Sequence, residues 1–316
     1  STILELLIAT ALTGRFLSLG ESIGNAAWLG LFYAISSFNN AGFVPTPEGL
    51  QPYVADWFIC IPIALGVFIG ALGFPVILNI GRRLGAPSKW SLHSKLTLTT
   101  SSLLFLTGAF FIGVLEWANP ETLAEHNGPT RLLIAIFSGV MPRSGGFSLV
   151  DPGSMHESTL VLNDALMFVG GGSASTGGGI KVTTFAVMLL AIAAEARGDP
   201  DVEAFGRRIP PSTLRLAVAV TIVGSIVVIT ATMILLGILR GTPYGALSRV
   251  VFEVCSAFGT VGLSTGITPY LPTSGKYVLT LCMFIGRTGT MSLAAALALR
   301  ERRRVIRYPE ERPIIG

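Results

Sequence analysis

Three glycines stand at equivalent places in the sequence and could bring backbone carbonyls to a metal cation. Gly42, Gly146 and Gly262 each precede Phe or Leu, and they recur at intervals of 104 and 116 residues. The three segments that contain them are FYAISSFNNAGF (32–43), AIFSGVMPRSGGF (135–147) and FEVCSAFGTVGL (252–263). A similar segment at a nearly constant interval indicates an internal repeat.

The chemistry that this pattern favours is the binding of a dehydrated cation. Glycine allows backbone angles that turn successive carbonyls inward, and a ring of such carbonyls replaces the hydration shell of an ion. The short apolar segments before the glycines would direct negative helix ends to the same point. Thr260-Val261-Gly262 also resembles the TVGYG sequence of potassium-channel filters. The alternative is that the glycines only permit tight helix packing.

We therefore predict a potassium-binding filter made of three loops. Its predicted residues are Asn39, Asn40, Ala41, Gly42, Ser144, Gly145, Gly146, Thr260, Val261 and Gly262.

A second glycine-rich segment, GGGSASTGGGI at 170–180, interrupts an apolar stretch. Glycine costs a helix about 1 kcal/mol per residue relative to alanine, so six glycines here predict an unwound segment. A phosphate-binding loop is disfavoured because Lys181 is followed by Val182 and not by Ser or Thr. A simple packing kink is the remaining alternative. We predict a gating loop inside the membrane.

Arg287 lies near the middle of the last apolar stretch, too far from either end to reach water beside the lipid. We expect it to bind carbonyls of the glycine loop and to block the conduction path, and a purely structural ion pair is the alternative. Position alone also suggests an Arg143–Glu253 pair behind the filter. The predicted gate residues are Gly171, Gly172, Ser173, Ser175, Gly177, Gly178, Gly179, Lys181 and Arg287.

The composition defines the elements that must position these residues. The chain has 316 residues, of which 51% are hydrophobic and 13% are charged, whereas soluble domains are about 25% charged. Charge-free runs of 25, 20 and 24 residues lie between Asp56 and Arg82, Lys95 and Glu116, and Arg215 and Arg240. Because a spanning helix needs about 20 apolar residues, the sequence predicts a polytopic membrane protein. It excludes a disordered chain and disfavours a soluble enzyme.

The predicted fold is an all-α polytopic membrane protein, with span–pore helix–span repeats around a central ion pore. The predicted repeats are 1–88, with a pore loop at 39–43 and a return span at 55–81; 89–204, with a pore loop at 143–147 and the glycine loop at 170–180; and 205–316, with a pore loop at 259–264 and a C-terminal tail. The leading span of the first repeat, about 1–17, has no basic flank, so we expect it to be truncated.

Charge predicts the orientation in the membrane. Fourteen of the 22 Lys and Arg residues lie in 82–95, 195–215 and 300–316, which the positive-inside rule assigns to the cytoplasm. We expect a multi-pass protein of the cell inner (plasma) membrane that contacts lipid and binds no nucleic acid. The three cysteines form no CxxC pair, and no catalytic triad or metal cluster is evident. We expect no enzymatic activity.

Five segments, in this order, resemble the ion-translocating subunit of the Ktr/Trk/HKT superfamily of potassium transporters. They are SSFNNAGF (36–43), MPRSGGF (141–147), MFVGGGSASTGGGIKVTTF (167–185), SAFGTVGLSTGITPYLPTSGK (256–276) and MFIGRTGTMSLAAAL (283–297). Gly177-Gly178-Gly179 and the ending YPEERPIIG favour the Ktr branch. The family carries four repeats around one pore, and this chain matches the last three.

The resemblance implies potassium uptake driven by the membrane potential, with potassium as substrate and, in some members, sodium as an activator or symported ion. It implies no cofactor in this chain. It implies a homodimer with one pore per subunit and a cytoplasmic ring of nucleotide-binding regulatory subunits of the RCK type. The alternative function is a secondary transporter of sodium, or of sodium and potassium, that works by alternating access. The parallel orientation of the repeats favours the channel-like interpretation.

Overall fold

The computed structural model describes residues 2–289. In this part of the chain the structure forms eleven α-helices, α1–α11, and a small β-hairpin. The helices are Thr2–Ser18, Ile23–Phe38, Trp57–Leu72, Phe74–Gly81, Leu92–Glu116, Gly128–Val140, Glu157–Phe168, Val182–Arg197, Pro211–Ile238, Leu247–Phe258 and Thr273–Phe284. The hairpin strands are Glu203–Ala204 (β1) and Arg207–Arg208 (β2), and a π-helical turn, Ile285–Gly289, follows α11.

Two helices, α5 and α9, are each long and apolar enough to cross a membrane. Their outward faces expose large apolar side chains, which water would not favour but lipid does. The exposed residues include Leu103, Leu106, Phe110 and Val114 of α5 and Ile222, Ile226, Ile229 and Met233 of α9.

The elements follow the same order in all three predicted repeats. A leading helix (α1, α5 or α9) is followed by a short helix (α2, α6 or α10), then by a loop and a return helix. Local signals start several of these helices. Ser22 and Asn127, for example, accept hydrogen bonds from the backbone N–H groups of Asn25 and Thr130 as N-caps of α2 and α6. The residue limits of the repeats stay predictions.

The return span predicted at 55–81 is not one continuous helix. It divides into α3 and α4, which are bent by 99° relative to each other. Gly73 stands at the break with φ of +90°, a backbone angle that favours glycine, and Pro75 starts the next helix. The uniform hydrophobicity of this segment concealed the break, which brings α4 beside the glycine loop.

The main core holds the short helices and the loops together. Tyr33 of α2, Ile63 of α3 and Phe137 of α6 are buried in one apolar cluster, which also contains Phe147 and Val261 from the loops. The loops that follow α6 and α10 are therefore anchored by their own apolar side chains.

Candidate ion filter and gate

The three predicted filter loops meet in the structure. A methyl group placed on Gly42 would lie 2.9 Å from Cα of Gly146, and one placed on Gly262 would lie 3.6 Å from the same atom. Gly42 and Gly262, each more than a hundred residues from Gly146 in the sequence, thus both lie beside it in the structure. A substitution at Gly42 would require the neighbouring backbone to move, whereas one at Gly262 meets only ordinary van der Waals contact.

The loops also share one backbone conformation. Each loop contains a tripeptide that ends in the shared glycine, and the first and third residues of this tripeptide have a left-handed backbone conformation, with positive φ. The φ angles are +51° and +69° at Asn40 and Gly42, +64° and +72° at Ser144 and Gly146, and +48° and +95° at Thr260 and Gly262. A left-handed angle is uncommon for residues other than glycine. Its recurrence at Asn40, Ser144 and Thr260 therefore shows that the three loops are structurally equivalent.

The short helices end directly before these loops, at Phe38, Val140 and Phe258. Their C-terminal ends carry partial negative charge. In the first and third repeats the same bond closes the turn, because Ala41 N–H donates to Ser36 O and Val261 N–H donates to Ser256 O, both at 2.8 Å. Three helix ends of negative polarity thus lie beside the loops that contain the three glycines.

Buried side chains connect each loop to the next. The side-chain amide of Asn40 donates to Arg143 O at 3.2 Å, and the hydroxyl of Ser144 donates to Gly259 O at 2.7 Å. Asn40 and Ser144 are both buried. The left-handed residues therefore fix the spacing between neighbouring loops.

Asn39 differs from the other predicted filter residues. It is the C-cap of α2, and its side-chain amide donates to Ile35 O at 3.0 Å and to Glu5 of α1 at 3.3 Å. Its side chain therefore ties α2 to α1, away from the contact between the glycines. The sequence could not separate Asn39 from Asn40, because both are adjacent amides before the same glycine.

The predicted glycine loop is unwound and folds back beside the filter. α7 ends at Phe168, and α8 starts at Val182. The two ends of the loop pair with each other, since Gly170 N–H donates to Ile180 O at 2.8 Å and Ile180 N–H donates to Phe168 O at 3.1 Å. The loop therefore leaves the return helix after α7 and comes back to the same place before α8.

Contacts between the loop and the filter are direct. Gly178 N–H donates to the Thr260 hydroxyl at 2.9 Å. A methyl group on Gly177 would lie 2.8 Å from the Ser144 hydroxyl oxygen. The glycine loop therefore lies against the left-handed residues of the second and third filter loops, Ser144 and Thr260.

Three cationic side chains donate to carbonyls of the glycine loop. Arg143 Nη2 lies 2.9 Å from Gly170 O, and Lys181 Nζ lies 2.7 Å from Gly177 O. Arg287 Nη1 lies 2.5 Å from Thr176 O. Unwinding frees carbonyls from helical partners, and hydrogen bonds to a charged group are worth about 1.5–3 kcal/mol each. The sequence suggested this contact for Arg287 but missed it for Arg143.

The other return helices complete the surroundings of the loop. Gly172 N–H donates to Ala71 O at 2.7 Å, next to the break between α3 and α4. Gly179 N–H donates to Gly286 O at 3.1 Å, within the π-helical turn after α11. The hydroxyls of Ser173 and Thr183 are 3.2 Å apart, and Ser175 Oγ accepts a weak bond from Gly177 N–H at 3.4 Å. Interruptions of all three return helices therefore meet at this loop.

The suggested Arg143–Glu253 pair is wrong. The ion pairs among the described residues do not include it, and Arg143 instead bonds Gly170 O. Both residues lie close to the filter glycines in the sequence. Their positions in the sequence did not show that Glu253 accepts a hydrogen bond from Thr265 N–H, in the segment after its own loop.

Replacing Thr260 by valine should loosen the glycine loop. The change keeps the side-chain shape but removes the acceptor of the buried Gly178 N–H, and an unpaired buried donor costs about 1–3 kcal/mol. We expect cation flux without regulatory stimulation to rise about fivefold or more. Thr260→Ser keeps the hydroxyl and should restore low flux, and equal flux in the two variants would contradict this assignment.

The fold and the site define a class of protein. Apolar helices with lipid-compatible faces surround a glycine-lined contact of three loops, and no group of three or more His, Cys, Asp or Glu residues in the described range could hold a metal. This architecture is that of a polytopic helical membrane transporter.

Comparison with known proteins identifies the family. The family model of TrkH, described as cation transport protein, matches residues 5–305. Ktr system potassium uptake protein B of Bacillus subtilis (strain 168) is 38% identical over 316 residues, which cover 99% of this chain and 69% of that relative. Protein D of the Ktr system in the same organism is 38% identical over 304 residues, 95% of this chain and 66% of that relative. The chain therefore belongs to the TrkH family of cation transport proteins.

A solved structure has the same fold. The crystal structure of the potassium transporter TrkH from Vibrio parahaemolyticus superposes on this chain with a TM-score of 0.73 at 16% sequence identity. The aligned part covers 93% of this chain and 62% of the TrkH chain. The present chain thus spans about two thirds of the length of the proteins it matches.

Proposed function

We propose that this protein takes up potassium through a filter of backbone carbonyls that is closed by the glycine loop. The observation that carries the proposal is the repeated left-handed geometry at Gly42, Gly146 and Gly262, together with the position of Gly146 beside the other two glycines. Loops of this kind present carbonyls to one axis and can replace the hydration shell of a cation. The names of the two Ktr relatives support potassium as the ion.

We propose further that the glycine loop is the gate. Its carbonyls bind Arg143, Lys181 and Arg287, and the part of the chain that the structure describes contains no acidic ion-pair partner for these three cations. Positive charge beside a cation filter raises the barrier to conduction. Displacement of the loop would remove carbonyls from these cations and open the path.

The test of this function is ion uptake by the full-length protein. It would be expressed in bacteria that lack their own potassium uptake systems, and uptake of rubidium, as a potassium tracer, would be compared with uptake of sodium. We expect selective rubidium uptake that rises with membrane potential. Equal uptake of the two ions would contradict a potassium filter.

Alternating access remains the second candidate, because the 99° break between α3 and α4 and the interrupted α7–α8 segment are features that such transporters also use. Electrical recording separates the two mechanisms. A channel-like filter gives unitary currents, whereas alternating access gives slow turnover and no resolvable channel openings. Sodium as an activator or symported ion would be tested in the same recordings.

We propose that the protein works as a homodimer in the plasma membrane and that its basic loops face the cytoplasm. There they would meet a ring of nucleotide-binding RCK-type regulatory subunits. Arg207 and Arg208 lie exposed on β2, and Arg208 forms an ion pair with Asp201 at 2.6 Å. Arg207 is thus the better-placed cation for a partner. The alternative is that these charges only determine membrane topology.

Arg207→Glu should weaken binding of the regulatory subunit about fivefold, since exposed ion pairs contribute about 0.2–1 kcal/mol and charge reversal adds repulsion. Pull-down of the purified regulatory ring by detergent-solubilised protein measures this. Arg240→Glu, an exposed cation predicted on the opposite side, is the matched control. Unchanged binding of the regulatory subunit to Arg207→Glu would contradict a partner-binding role and would mean that these charges only determine membrane topology.

A further inference from the structure

Glu253 is the single acidic residue in the three short helices α2, α6 and α10. It lies nine residues before its filter glycine, where the other repeats carry Tyr33 and Phe137. All three side chains are buried. The third repeat therefore places a carboxylate where the other two place aromatic rings.

The contacts of this carboxylate all lead to one segment. Glu253 Oε1 accepts hydrogen bonds from the Ser264 hydroxyl at 2.7 Å, from Thr265 N–H at 2.9 Å and from the Thr265 hydroxyl at 3.1 Å. Glu253 Oε2 accepts one from the Thr268 hydroxyl at 2.7 Å. A carboxylate only accepts hydrogen bonds, so one side chain collects four donors from residues 264–268.

This segment is the direct continuation of the third filter loop. Ser264 follows Gly262 by two residues, and Gly262 is exposed, with φ of +95°. Gly262 is also less closely surrounded than the other filter glycines, because a methyl group on it would lie 3.6 Å from Cα of Gly146. Close packing alone therefore does not fix this glycine, and the Glu253 bonds supply a second constraint.

The charge of Glu253 is not matched by a cation. Among residues 2–289 no Lys or Arg forms an ion pair with it. A buried charge requires hydrogen bonds to offset its desolvation, and the four donors provide them. Its negative potential would act on a cation in the adjacent loop, since no neighbouring Lys or Arg among the described residues neutralises it.

We infer that Glu253 is a positioning residue that determines ion selectivity by holding the outer end of the third filter loop. The inference rests on the proposed potassium filter. On this inference, the Glu253 side chain contributes to the choice between potassium and sodium without contacting the ion. The charge favours cations in general, and the four bonds fix the spacing of the carbonyls that separates potassium from sodium.

The test compares rubidium and sodium uptake by the full-length protein with Glu253 replaced by Ala or Gln. We expect Glu253→Ala to lower the rubidium-to-sodium uptake ratio about fivefold or more, because it removes bonds made to a charged acceptor. Glu253→Gln keeps the oxygen that accepts from Ser264 and Thr265 and should restore most of the ratio. Its affinity for rubidium should still fall, because the charge is lost.

Glu116 supplies the matched control. It is an equally buried carboxylate and also accepts four hydrogen bonds, from Asn119, Thr122, Thr159 and the N–H of His156. These partners belong to the segments beside α5 and α7 and not to a filter loop. Glu116→Ala and Glu116→Gln should change the amount of inserted protein, while the uptake ratio stays at the wild-type value.

Thr268→Val tests the inference even if the Glu253→Ala variant fails to insert into the membrane. It removes one donor to the carboxylate and should lower the uptake ratio about twofold. A wild-type ratio in Thr268→Val and in inserted Glu253→Ala would overturn the inference, as would an equal loss in Glu116→Ala. An unselective wild-type protein would instead overturn the proposed potassium filter.

Discussion

Replacing Arg287 by alanine should raise potassium uptake in the absence of the regulatory partner by about tenfold. Its guanidinium donates to Thr176 O at 2.5 Å, and a bond to a charged group contributes about 1.5–3 kcal/mol. We take the lower end because Arg287 is exposed. Since 1.4 kcal/mol corresponds to a factor of ten, loss of this bond shifts the closed and open populations by about that factor.

The measurement is initial rubidium uptake per inserted protein, with and without the regulatory subunit. Stimulation by the partner should shrink as basal uptake rises. Arg287→Lys keeps the charge but offers a compact donor in place of a planar one, so an intermediate rate is expected. A fall in uptake by correctly inserted Arg287→Ala would mean that the arginine supports the filter and does not close the gate.

Gly146→Ala should abolish selective potassium uptake. Gly146 lies between the other two filter loops, where an added methyl group would overlap Val261 O and lie 3.0 Å from Cα of Gly42. Its φ of +72° adds strain of about 1–2 kcal/mol for a residue with a side chain. The central loop therefore cannot accept even one carbon without displacing both neighbours.

The three glycines should rank in a defined order of sensitivity. Uptake ratios of rubidium to sodium should fall most in Gly146→Ala, less in Gly42→Ala and least in Gly262→Ala, which meets only ordinary contact at 3.6 Å. Gly262→Ser should still weaken selectivity. Gly24→Ala in α2, where a methyl group meets nothing within 4 Å, is the control. An equal loss at all three glycines would contradict the structural asymmetry of the filter.

The sequence predicted the elements that depend on local patterns. Charge-free stretches gave the long helices α5 and α9, and the recurring glycine after each short apolar segment indicated three equivalent loops. The six glycines of 170–180 predicted unwinding because their helix propensity is low whatever surrounds them. These properties are visible without knowledge of tertiary structure.

What the sequence did not reveal depends on side-chain direction. Arg143 and Glu253 are oppositely charged and each precedes a filter glycine, yet Arg143 extends to Gly170 and Glu253 to the segment after its own loop. Asn39 and Asn40 are chemically identical, but Asn39 extends to Glu5 of α1 and Asn40 extends to Arg143 O in the loop after α6. The roles of the predicted filter and gate residues stay predictions, and the basic segment 300–316 and the end of the last predicted span lie outside the described residues.

The bend at Gly73 has a mechanical consequence. α4 extends from this bend for eight residues, an arm of about 12 Å at 1.5 Å per residue, and Arg82 and Arg83 stand at its far end. At the near end, Phe74 N–H donates to Ala174 O at 3.4 Å, and Ala71 O accepts from Gly172 N–H. Ala71 belongs to α3, so rotation of α4 about Gly73 would leave its bond to the glycine loop in place and would move only Phe74 away from Ala174 O. A force on the basic end of α4 would thus reach the glycine loop at Ala174, while the end of α3 holds the loop at Gly172.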